Sequence, residues 1–200
     1  MSFVSIIASS ERVSAVSDCR LVDLTDEGTR QAVPGSKPGL VRISDCQLLA
    51  CTGSATVLKR MKKEFPFRRQ HYKMDQEMLD HLAQLASAVP FAHQDVLISL
   101  VSTAGSVSCR LFSNKPGDAW QTLIPEKGRL ATLFLAGRDI DEQAIRTIYN
   151  EFARLLGLYG GEDDFRQIRR AQEELNHFAS GIDPLIGERI AHMELIRKSV

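Results

Sequence analysis

Strands and helices come in blocks along this chain instead of alternating, and that order excludes most architectures before any single residue is read. Residues 2 to 8 (SFVSIIA) are β-branched and apolar, and residues 13 to 17 (VSAVS) alternate. The polar stretch Ser9 to Arg12 between them predicts a β-hairpin. Residues 23 to 39, punctuated by Pro34-Gly35 and Pro38-Gly39, predict a loop. The segments 40 to 43 (LVRI) and 47 to 51 (QLLAC) predict a second strand pair around Ser44-Asp45-Cys46. Ser54 then caps a helix with Val57, Leu58, Met61 and Phe65 at helical spacing, ended by Pro66. Asp75 caps a second, with Met78, Leu79, Leu82, Leu85, Ala86 and Val89 on one face.

Three further strands are predicted at 95 to 103, 107 to 113 and 130 to 135, with a weaker one near 120 to 124. Asp139 precedes a helix that buries Ile145, Ile148, Tyr149, Phe152, Leu155 and Leu156, with Gly157 as its C-cap. Another amphipathic helix covers 163 to 179 through Phe165, Ile168, Leu175 and Phe178. The Glu162-Asp163-Asp164 run lies where negative charge favours a helix start. A loop at 181 to 187 and a strand at 189 to 196 close the order. Blocks of this kind mean an α+β fold. Burying every apolar face calls for a four-layer α-β-β-α sandwich of two packed, mostly antiparallel sheets. The 200 residues suit one domain, 1–200.

Composition narrows the functional classes. Formal net charge is zero, so no whole-molecule field favours nucleic acid or an anionic membrane. Cys19, Cys46, Cys51 and Cys109 form no C-x-x-C unit and have no zinc spacing with the scattered histidines His71, His81, His93, His177 and His192. Free thiols, no metal, no cofactor and a cytoplasmic setting are expected. The first residues lack a basic n-region, and no apolar run reaches membrane-spanning length. Residues 59 to 73 gather Lys59, Arg60, Lys62, Lys63, Arg68, Arg69 and Lys73 with Phe65, Phe67 and Tyr72 interleaved. A single-strand nucleic-acid platform has this composition. A solvated helix face with a basic loop is the preferred reading, and an interaction surface is the alternative.

Several strings in order give the chain a family likeness. Ser17-Asp18-Cys19-Arg20 ends the first hairpin; IS-DCQLLACTGSA leads into a helix at Gly53; ASGIDPLIGERIAHMELI joins the last helix to the last strand. In this order and spacing the chain resembles the proteasome β-subunit family of N-terminal nucleophile hydrolases across essentially its whole length.

The resemblance implies a first-strand nucleophile at Ser2, with its own α-amine as general base once Met1 is removed. It implies that Asp18 and Arg20 support the site, with Asp18 orienting the nucleophile's surroundings and holding a nearby cation, and that the Gly53 N–H donates to a developing oxyanion. Ser180 matches the family's serine of the Ser-Gly step. Three positions depart: the family lysine falls at Gly39, leaving Lys37 as the nearest substitute, the family aspartate falls at His177, and a family serine falls at Ala136. Catalytic sets act as a unit, so these losses point to a peptidase site that is altered or lost. An active peptidase or amidohydrolase working through Ser2 is the alternative. The resemblance also implies a homo-oligomer, because the family works in closed chambers.

Overall fold

A computed structural model describes residues 2–24, 30–35, 37–137, 140–159 and 164–197. The Met1, Asp139, Glu162 and Asp163 expectations, and residues 25–29 and 36 of the predicted loop, lie outside the described residues. Eleven strands and four helices are described. Strands β1 (Val4–Ala8), β2 (Arg12–Asp18), β3 (Val22–Leu24), β4 (Arg30–Ala32), β5 (Leu40–Ser44) and β6 (Gln47–Thr52) come first. Helices α1 (Ala55–Glu64) and α2 (Gln76–Ser87) follow. Then come β7 (Leu97–Ser102), β8 (Ser108–Ser113), β9 (Gln121–Leu123) and β10 (Ala131–Leu135). Helices α3 (Glu142–Tyr159) and α4 (Phe165–Ile182) and strand β11 (Ile190–Ile196) end the order.

Two antiparallel sheets carry the fold, one ordered β10-β1-β2-β11 and the other β5-β6-β7-β8-β9. Their central strands, β1 and β2 in one sheet and β6 and β7 in the other, are buried on both faces, so their side chains alternate between two buried environments. On β6, Leu48 and Ala50 join Val4, Ile6 and Ala15 of the other sheet, while Leu49 and Cys51 join Val57, Met61 and Leu82 of α1 and α2. On β1, Ile6 faces the second sheet, and Ile7 packs with Ile148 and Phe152 of α3 and Leu175 of α4. No described helix is long and apolar enough to cross a membrane.

The predicted caps form: Val57 N–H donates to Ser54 Oγ at 3.2 Å and Met78 N–H to Asp75 Oδ1 at 3.2 Å. Asp164 accepts from Arg166 N–H at 2.9 Å. At α3 it is Asp141 that accepts from Ala144 N–H at 2.8 Å.

The structure corrects four expectations. The 23–39 stretch is not all loop, since β3 and β4 pair there as a small hairpin. Gly157 is no C-cap; α3 runs on to Tyr159, because its packed face outweighs one residue of weak propensity. Helix α4 likewise continues through Gly181 to Ile182. Tyr149 is 56% exposed, although helical spacing alone put it on the buried face.

Candidate functional site

The β1–β2 hairpin sets Val4 opposite Ser17, and its next step places Phe3 beside Asp18. Asp18 N–H donates to Phe3 O at 3.2 Å, and Phe3 N–H donates to Asp18 Oδ1 at 2.9 Å. The other carboxylate oxygen accepts from Gly187 N–H at 2.8 Å and Arg20 N–H at 3.2 Å. Asp18 is wholly buried and thus ties together the start of β1, the end of β2 and the turn before β11. Burial pushes its carboxyl up to about 6, outweighing the three N–H donors that pull it down.

The resemblance put a cation beside this carboxylate. Arg20 turns its guanidinium elsewhere, donating to Pro184 O at 2.9 Å. Lys37 is exposed, and what ties it in is its backbone N–H, which donates to Cys19 O at 3.0 Å. The described donors to the Asp18 carboxylate are all backbone N–H groups.

Ser2 immediately precedes this junction. It is buried, and its hydroxyl has no hydrogen-bond partner among the described residues. Two surface cavities lie elsewhere, about 320 Å³ between β10 and α3 and about 620 Å³ beside the end of α2. Neither is lined by Ser2, Asp18, Lys37, Gly53 or Ser180.

Gly39 is buried where β5 begins. Its N–H donates to Ser17 Oγ at 3.0 Å, and its carbonyl accepts from Cys51 N–H at 2.8 Å. A Cβ here would meet Cys51 O at 2.6 Å, Ser17 Oγ at 3.1 Å and the Val4 side chain at 3.4 Å. Backbone therefore occupies the path a side chain would take. Gly53 has φ +91°, a left-handed conformation that favours glycine, and a Cβ there would fall on the Asp95 carbonyl. Its own carbonyl accepts from the buried Gln94 side chain.

The C-terminal candidates divide differently from their sequence assignments. Ser180 is half-buried and donates to His177 O of its own helix at 2.7 Å, so its hydroxyl does not reach into the Asp18 junction. His177 is exposed. Ala136 packs against apolar residues of α3 and α4 and offers no hydroxyl. Asn176, beside His177 on α4, turns inward: it is buried, and its Nδ2 donates to Gly187 O at 3.0 Å. Gly187 is thus gripped at its N–H by Asp18 and at its carbonyl by Asn176.

Among solved structures, the chain is similar to HslV from Trypanosoma brucei, with TM-score 0.55 and 14% identity, covering 97% of this chain and 99% of that one. It is similar to BPH from Thiobacillus denitrificans, with TM-score 0.57 and 13% identity over 99% and 100% of the two chains. A complex of BPH with epoxomicin matches at TM-score 0.55 and 13% identity over 98% and 100%. The chain has the proteasome-type Ntn-hydrolase fold. No protein-family model and no curated protein sequence matches it.

On this Ntn fold, the clamp on Gly187 went unread in the sequence, yet a signal was present. Gln172 and Asn176 interrupt the apolar stripe of α4 formed by Ile168, Ala171, Leu175 and Ala179. Polar residues four apart on a buried face must find partners. Gln172 finds Ser5 O at 2.9 Å and Ser5 Oγ at 3.0 Å, and accepts from Ser14 Oγ at 2.5 Å. Cys51, whose backbone closes on Gly39, is no substitute nucleophile, because burial pushes its thiol up to about 12.

Proposed function

We propose that this chain is a proteasome-subunit-like protein whose peptidase site is altered and inactive. It forms one domain over residues 1–200, stacked as four layers in the order α-β-β-α, and it self-assembles. The three apolar clusters support the stacking: one joins α1 and α2 to the five-stranded sheet, one joins the two sheets, and one joins α3 and α4 to the four-stranded sheet. The observation that carries the loss of activity is Gly39. The family's activating lysine falls there, and Cys51 O stands 2.6 Å from where its Cβ would be. Without a cation beside the nucleophile, nothing lowers the pKa of the hydroxyl–amine pair. Lys37, exposed to solvent, is a weak substitute. The exposed Tyr149 and Leu158 of α3 favour a covered surface and so an assembly.

The second reading is an active hydrolase using Ser2, with Asp18 holding Phe3 in place and Gly53 as oxyanion donor. The buried Ser2 hydroxyl, without a hydrogen-bond partner among the described residues, favours it. One experiment separates the two readings. Protein verified by mass to lack Met1 is incubated with epoxomicin, the compound bound to BPH in a solved complex. An unchanged intact mass is expected. A stoichiometric adduct mapping to residue 2 would establish the active reading. Light scattering is expected to give a mass above that of the 22.3 kDa chain, and a clean monomer would remove the assembly.

A further inference from the structure

The basic stretch after α1 plays no part in the candidate site, and the structure gives it a definite form. On α1, Lys59, Lys62 and Lys63 are exposed and spaced three and four apart, so they share one helix face. The following segment, 66–73, is not a loose loop. Arg68 N–H donates to Ile43 O at 2.9 Å, forming a bridge to β5 at Ser44. Gln47 holds Tyr72 from both sides, its Nε2 donating to Tyr72 O at 2.8 Å and its Oε1 accepting from Tyr72 N–H at 2.7 Å. Tyr72 Oη donates to Pro66 O at 2.7 Å. The segment is a strap tied along the outer edge of the five-stranded sheet.

That anchoring decides the character of the surface. Phe65 is buried, and Tyr72 packs against the core with the Arg68 guanidinium 4.3 Å from its ring centroid. Of the three interleaved aromatics only Phe67, 54% exposed, is presented outward. A stacking platform for successive bases needs more than one ring. The nearby acids are already engaged: Glu64 pairs with His81 and lies 4.0 Å from Arg60, and Asp75 lies 3.3 Å from Lys73. Lys59, Lys62, Lys63 and Arg69 have no anionic partner among the described residues. They sit on a chain of zero net charge, so this is a local excess.

We propose that the α1 face and the 66–73 strap form a pre-organised docking surface for an acidic, extended peptide segment of a partner protein. Charge complementarity supplies the attraction, Phe67 supplies an apolar anchor, and the fixed strap spares the ordering cost that a flexible basic loop would incur. This goes beyond the reading of the Ser2 region and stands or falls separately from it, since no residue is shared.

The test measures fluorescence anisotropy of a labelled glutamate-rich peptide containing one leucine, against the full chain, across a salt series. Binding at low salt that weakens steadily with added salt is expected. The triple variant Lys62→Glu/Lys63→Glu/Arg69→Glu should bind at least about tenfold more weakly while keeping a cooperative thermal transition. The milder Lys62→Gln/Arg69→Gln pair should fall between, and it stands alone if the triple variant does not fold. No peptide binding at low salt, or equal binding by the folded variants, would overturn the proposal. So would tighter binding of a thymidine oligonucleotide, which would make the surface a nucleic-acid site. Self-association of the wild type abolished by the same substitutions would also overturn it, by making the surface an interface between copies.

Discussion

Two corners of the candidate site, a few residues apart in space, are built by opposite means. At Asp18 one side chain organises backbone: its carboxylate gathers the N–H groups of Phe3, Arg20 and Gly187. At Gly39 and Gly53 the side chain is missing, and backbone meets backbone directly. The first corner has chemistry to spare, because a buried carboxyl pushed up to about 6 can change its protonation state in an ordinary pH range. The second has none, because its space is filled. Two corners of one fold can therefore be held by different means, one by a buried carboxylate and the other by bare backbone.

The comparison breaks most sharply at Gly53. Gly53→Ala would force a left-handed φ on an L-residue and drive its Cβ into the Asp95 carbonyl. A loss of more than about 4 kcal/mol is expected, read as failure to give soluble, cooperatively unfolding protein. A mild effect would mean that this corner is not backbone-packed.

Asp18→Ala comes next. It removes the acceptor of three N–H groups, one buried and two part-buried, and should cost about 3 kcal/mol by urea denaturation at acid pH. The same variant tests the pH behaviour. A folded pKa of about 6 above an unfolded 3.8 means that the fold binds the proton more tightly. The pH-dependent part of the Asp18 contribution is fully present below 3.8, and it is lost as pH rises through about 6. Wild-type stability should thus fall relative to the variant across that window, by up to about 3 kcal/mol. Parallel pH profiles for the two proteins would show that the carboxylate is not strained by burial.

Gly39→Lys should cost about 2 kcal/mol, through displacement of Cys51 O and loss of the Ser17 Oγ contact. A variant as stable as wild type would show that this corner has room for a side chain. The smallest effect is expected at Ser180→Ala, under about 0.5 kcal/mol by thermal unfolding, since its hydroxyl bonds back to its own helix. A loss near that of Asp18→Ala would place Ser180 inside the network after all.

The legible parts of this molecule are those where the information is local. Ser54 and Asp75 cap the helices predicted for them, because a cap needs only a short side chain and the next turn. The strand pair around Ser44 to Gln47 was readable for the same reason. The β3–β4 pair was not, because weak three-residue strands exist only by pairing across a polar segment.

At the site, Asp18 and Gly53 were identifiable as special positions, one as a buried hairpin-end acid and one as a glycine with an unusual backbone angle. Asn176 was not. One residue along α4 turns a side chain by 100°, so that Asn176 points inward while His177 beside it is exposed becomes visible only when the packing of the helix is known.

The amino-acid sequence alone determined the order of the longer elements, the N-caps of α1 and α2 and the two-sided apolar content of the central strands, since these depend on neighbours within a turn or two. Tertiary structure decided which edges meet, with β10 beside β1 and β11 beside β2. It decided that the strap after α1 is tied to β5 and that backbone fills the space at Gly39. Those outcomes rest on atoms brought together from distant parts of the chain, and no local rule specifies where such atoms come to lie.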